Sequence, residues 1–178
     1  KVDGAAVLQT ESYVFTNVTA NHAIEVTFKQ ITYIITASAG ANGSISPNGN
    51  VTVNYGDNQT FTITPASGYQ VDVLTVDGTT AASAESYAFN NVTADHTINV
   101  TFKLKTYTIT ATTGANGTIS PSGDVTVNHG ADQAFTFSPS VSYQVDQVKV
   151  DGVVTTATSP YTFSNVTANH TIDVTFKL

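Results

Sequence analysis

Three histidines recur at equal spacing. His22, His96 and His170 lie 74 residues apart, each closing the string Asn-Val-Thr-Ala-Asn/Asp-His. Imidazole titrates near neutrality and is the commonest metal ligand, so a histidine placed this regularly could sense pH or hold a cation. A cation site, however, needs several donors to converge, and each of these residues sits in its own copy of the string. A fourth histidine, His129, stands where the preceding copy has Tyr55. The expected role of His22, His96 and His170 is a turn residue leading into a strand.

Other side chains with chemical potential give similar readings. Asp72, Asp77, Asp146 and Asp151 offer oxygens for calcium, but a calcium cage takes six or more ligands and no loop has an EF-hand spacing. Asp77-Gly78 and Asp151-Gly152 read as turns. Lys29, Lys103 and Lys177 could form isopeptide crosslinks, which require burial beside Asn or Asp and an acid. Alternation instead puts them opposite Phe28, Phe102 and Phe176, exposed and protecting a sheet edge. Asn17, Asn50, Asn91, Asn99 and Asn165 each begin an Asn-x-Thr match. In a eukaryotic secreted protein these would accept glycans; here turn and strand composition accounts for them. Tyr69/Tyr143, Tyr87/Tyr161 and Phe89/Phe163 could line a sugar-binding face, but recurring aromatics read first as core. No nucleophile, base and acid stand together. The sequence therefore assigns no catalytic, cofactor-binding or metal residue, and no enzymatic activity is expected.

The elements that hold these residues follow from the repeat. The 74-residue interval also separates Asp3-Gly4, Asp77-Gly78 and Asp151-Gly152, so nothing is inserted or deleted between copies. A fixed period marks a repeat array. It divides the 178 residues into the C-terminal half of a repeat (1–30) and two full repeats (31–104 and 105–178). The chain opens inside a repeat, as an excerpt of a longer protein would.

Composition narrows the class. The formal net charge is −7 and all six basic residues are scattered lysines, so the basic stripe that neutralises phosphates in a nucleic-acid binder is lacking. Membrane insertion is not expected either, because no apolar run reaches eighteen residues. With no Cys, disulfides and thiolate metal sites are excluded.

Within 31–104, Thr32–Ser38 alternates Tyr33, Ile35 and Ala37 with polar or opposite-facing residues, the period of a strand. Further short strands fall at Ser44–Ser46, Val51–Asn54, Gln59–Thr64, Tyr69–Val76, Tyr87–Phe89 and Thr97–Lys103, separated by Gly-, Asn- and Pro-rich turns. Tyr55–Asn58 between two strands predicts a hairpin. Inside Tyr69–Val76 the apolar parity switches, with Tyr69, Val71 and Val73 on one face and Leu74 and Val76 on the other, which predicts a β-bulge or bend. Thr79–Ser86 could form a single helical turn. Where 104 meets 105, the core-facing parity passes from Val100, Phe102 and Leu104 to Tyr107 and Ile109 without Gly or Pro. The expected architecture is all-β: tandem small β-sandwich or β-grasp-like domains of about 74 residues, joined stiffly as a beaded rod.

The string YIITASAGANGSISPNGNVTVNYGDNQTFTITPASGYQV, followed by VDG and by YAFNNVTADHTINVTF, recurs in the second full repeat. It resembles the divergent internalin-B-type B-repeat of bacterial surface and secreted proteins. The resemblance covers the whole chain and implies an extracellular tandem β-domain without catalytic residues, although this sequence has no Trp. The expected function is a structural or adhesive stalk. One alternative is a filament subunit, with self-association through the exposed strand edges of the incomplete first repeat. Another is a module that binds a cell-surface glycan or protein.

Overall fold

The computed structural model describes residues 1–8 and 10–178. Each full repeat carries eight strands. In the first they are β1 (Thr32–Ala39), β2 (Gly43–Ser46), β3 (Gly49–Asn54), β4 (Gln59–Pro65), β5 (Tyr69–Val76), β6 (Thr79–Ala81), β7 (Ser86–Phe89) and β8 (His96–Leu104). In the second they are β9 (Thr106–Thr113), β10 (Gly117–Ser120), β11 (Gly123–Asn128), β12 (Gln133–Pro139), β13 (Gln144–Val150), β14 (Val153–Thr155), β15 (Tyr161–Phe163) and β16 (His170–Lys177). No helix occurs among the described residues: within Thr79–Ser86, strand β6 is followed by irregular chain and then by Ser86, the first residue of β7.

Strands of each repeat divide between two sheets. A five-stranded sheet runs β3-β1-β8-β5-β6, and a three-stranded sheet runs β2-β4-β7. The second repeat duplicates both, as β11-β9-β16-β13-β14 and β10-β12-β15. All neighbours are antiparallel except β1 with β8 and β9 with β16, which are parallel. This central pairing of first and last strands is what a β-grasp arrangement shares; two sheets enclosing one core is what a sandwich shares.

The core lies between the sheets. Ile35, Ala37, Val53, Leu74, Ile98 and Val100 come from the larger sheet, and Ile45, Phe61, Ile63 and Phe89 from the smaller. Each is an alternate residue of its strand, as a sheet with one buried face requires. The second core repeats the first position for position at the 74-residue offset. Only two positions change: Ile63 becomes Phe137 and Leu74 becomes Val148. One change adds volume and the other removes it, so the total filled volume stays close, the condition under which cores tolerate substitution.

Two further expectations are corrected. Val51–Asn54 and Gln59–Thr64 do not form a hairpin: β3 pairs with β1, and β4 pairs with β2 and β7. The Tyr55–Asn58 turn is a crossover between sheets, held by Gly56 N–H to Val92 O and by Val92 N–H to Asp57 O. Lys103 and Lys177 do not guard edges either, because β8 and β16 are central strands. The parity switch in Tyr69–Val76 is a bulge, with the register against β8 shifting between Val71 and Val73, and β13 repeats it against β16 between Val145 and Gln147.

Candidate functional site

Each Asp-Gly turn is built the same way. Asp77 and Gly78 both have positive φ, 49° and 76°, the conformation of a tight hairpin turn whose twist matches its strands. That turn joins β5 to β6 and brings the Asp77 carboxylate against the start of β8. One oxygen accepts the Thr97 N–H at 2.8 Å and the other meets His96 Nδ1 at 2.7 Å. Asp77 N–H donates to Thr97 O at 3.0 Å. Asp151 repeats these contacts with Thr171 and His170, and Asp3 repeats them with Ala23 and His22. Each imidazole also lies against a phenyl ring, with centroids 4.8–4.9 Å apart on Phe15, Phe89 and Phe163.

His96 and His170 are thus first residues of the last strand of their repeats, and each is also the clasp that holds the hairpin turn to it; His22 makes the same contacts outside any strand. Sequence reading placed His96 and Asp77 separately. The signal that joins them is their constant separation of 19 residues in all three copies. Among the described residues, no three His, Asp or Glu side chains gather where a metal could bind.

Electrostatics of the clasp follow from its contacts. Burial pushes the Asp77 carboxyl upward, but the Thr97 N–H and the His96 ring, by hydrogen bond and charge, carry it below the ordinary value. At Asp151, burial acts upward and the His170 and Thr171 hydrogen bonds again outweigh it. Asp3 is lowered by the Ala23 N–H and then by His22. A carboxyl depressed in the folded state stabilises the fold above its unfolded value of 3.8, and that contribution disappears as pH falls through the lower folded value. Asp77→Asn keeps an oxygen for Thr97 N–H and tolerates the left-handed backbone. It should flatten the loss of stability below about pH 4, read as urea midpoint against pH; an unchanged acid limb would show that Asp77 contributes no such linkage.

Asp72 and Asp146 serve a different purpose from Asp77 and Asp151. Each is the extra residue of a bulge, and its carboxylate reaches a lysine on the neighbouring strand: Asp72 to Lys103 at 3.0 Å and Asp146 to Lys177 at 2.9 Å. These ions are half-exposed, so each pair is worth about 0–1 kcal/mol and the buried lysine that an isopeptide needs is missing. Asn17, Asn91 and Asn165 occupy left-handed turn positions, Asn50 accepts from Thr36 Oγ1, and Asn99 donates to Ser38 Oγ. Phe89 and Phe163 are core residues, with Tyr87 and Tyr161 packed beside them.

The junction between repeats is a single residue. Lys105 lies between β8 and β9. Its N–H donates to Gly68 O at 2.8 Å in the first repeat, and its carbonyl accepts the His129 N–H at 2.9 Å in the second. The His129 ring then covers Gly68, which is buried. His129, read from sequence only as the counterpart of Tyr55, is the side chain that seats one repeat on the next. The larger feature is that both repeats grip the one residue between them.

Residues 33–106 and 107–178 each match the family model described as the divergent InlB B-repeat domain. No curated protein matches the chain.

Proposed function

This chain belongs to the divergent InlB B-repeat domain family, and on that premise we propose that it is a non-enzymatic spacer of a bacterial surface or secreted protein, a stalk that holds other segments at a set separation. The observation carrying this reading is the gripped junction. A spacer transmits position only if its joints do not swing, and a one-residue linker bonded to both neighbours removes the slack that a Gly- or Ser-rich linker would leave. The family is one of repeat domains, and the tandem copies of one core are the form such an array takes.

The chain has no Cys, so two introduced cysteines carry the only spin labels. Thr52 and Thr126 are exposed on equivalent strands β3 and β11. Labels there should give one narrow distance distribution by pulsed electron spin resonance. A broad distribution would contradict the spacer.

A second reading has its own support. Val18, Ile24 and Phe28 are 62%, 55% and 94% exposed, whereas Val92 and Ile98, the counterparts of the first two, are each 1% exposed. The first thirty residues therefore display an apolar face that complete repeats cover. Strand addition by another copy of the chain would cover it and produce a filament. Sedimentation velocity across a wide concentration range tests this: growth into long polymers supports it, and a constant monomer does not.

A further inference from the structure

We propose that the residue at the place of Gly68 in a repeat decides whether the following repeat docks rigidly behind it, glycine admitting a ring from the next unit and serine refusing it. The partner this surface fits is another B-repeat unit, one bearing an aromatic or imidazole ring at the position of His129. The inference deepens the spacer reading and rests on it.

At the junction, Gly68 adopts φ +81°, and a Cβ added there would sit 2.4 Å from His129 Cδ2 and 2.9 Å from Nε2. Real Cβ contacts do not approach this closely, so the ring must leave if a side chain appears. Leaving means abandoning the packing beside Tyr107, whose ring centroid is 5.9 Å away. His129 Nδ1 is buried there without a hydrogen bond, which shows how closely the ring is enclosed.

The same surface occurs twice more along the chain with one half missing. On the leading side of the first full repeat, Tyr55 occupies the place of His129. Its N–H donates to Ile31 O at 2.9 Å, as that of His129 does to Lys105 O. Its ring pairs with Tyr33 at 6.3 Å, as His129 does with Tyr107. Yet Tyr55 is 58% exposed, a ring positioned to cover a glycine loop of a preceding unit. On the trailing side of the second repeat, the loop backbone is conserved between copies: Ser140 N–H to Asn116 O and Tyr143 N–H to Ser140 O match Ala66 to Asn42 and Tyr69 to Ala66. At the place of Gly68, however, stands Ser142, with φ +69°. The backbone is ready and the side chain occupies the seat. A unit appended in this register would join without the ring-on-glycine contact, and its joint would hinge.

Two variants test this with the spin-label pair at Thr52 and Thr126. Gly68→Ser should lose the single narrow distance. Ser142 holds the same left-handed backbone within an intact loop, so strain alone does not forbid folding. His129→Ala, which removes the ring while Gly68 stays in place, should broaden the distance as well. The reciprocal variant appends a further copy of residues 105–178 after Leu178, with labels at Thr126 and its counterpart in the added copy. The distribution should be broad with Ser142 and narrow with Ser142→Gly. A Gly68→Ser chain that keeps the parent distance and width, or a Ser142→Gly array as broad as its parent, would overturn the inference. If the unsubstituted Thr52–Thr126 pair is itself broad, the spacer reading fails first and takes this inference with it.

Discussion

Phe61→Ala should unfold the first full repeat and leave the second folded. Phe61 is fully buried at the meeting of the two sheets, edge-on to Phe89 with centroids 6.0 Å apart. Removing a buried phenyl ring costs about 3–5 kcal/mol through lost burial and the cavity left behind. A domain of this size has a total stability of about 5–10 kcal/mol or less, so the loss takes most of it. The two cores share no residue, and the second keeps its own Phe135. Two-dimensional NMR should therefore show the resonances of residues 31–104 collapsing to disordered positions while those of 105–178 stay dispersed. Collapse of both sets together would mean that the repeats fold as one cooperative body.

Gly43→Val sets two physical tendencies against each other. Gly43 opens strand β2, where valine has the better intrinsic preference and glycine is weakening. A Cβ at Gly43, however, would lie 2.3 Å from Phe102 Cζ and 2.4 Å from Cε2. The phenyl ring of β8 lies flat on the glycine and closes that side of the core. Valine must displace it, and overpacking of this kind costs about 1–3 kcal/mol. We expect sterics to win, with a lower thermal midpoint and a more exposed Phe102. The same substitution at Gly117 meets Phe176 at similarly short range and should act on the second repeat. A raised midpoint would show that the ring moves aside at little cost.

Much of this fold is legible in the sequence because strand alternation is local. Ile35, Ala37, Ile98 and Val100 announce their buried face by period alone, and the parity switch around Val71 and Val73 announces the bulge. The crossover at Tyr55–Asn58 is not legible, since a short turn between two strands looks the same whether they pair or part. What separates β3 from β4 is the Val92 backbone holding Gly56 and Asp57 from more than thirty residues away. The clasp and the ring-on-glycine contact at the junction are not legible for a related reason. Asp77 with His96, and Gly68 with His129, are distant in sequence, and only their repetition or substitution across copies hints at contact. The central place of Lys103 is not legible either, because alternation tells which face a residue takes, not whether its strand is central or marginal.

The parallel pairing of β1 with β8 has a mechanical consequence. The chain enters the repeat at the start of β1 and leaves it at the end of β8, and the two strands are registered directly from Ile35 opposite His96 to Ala39 opposite Val100. Tension applied along the array drags these strands in opposite senses along their length. The hydrogen bonds between them are loaded side by side in shear, and must yield together rather than unzip one after another. An array of these repeats under tension thus has its strongest seam where the pull arrives.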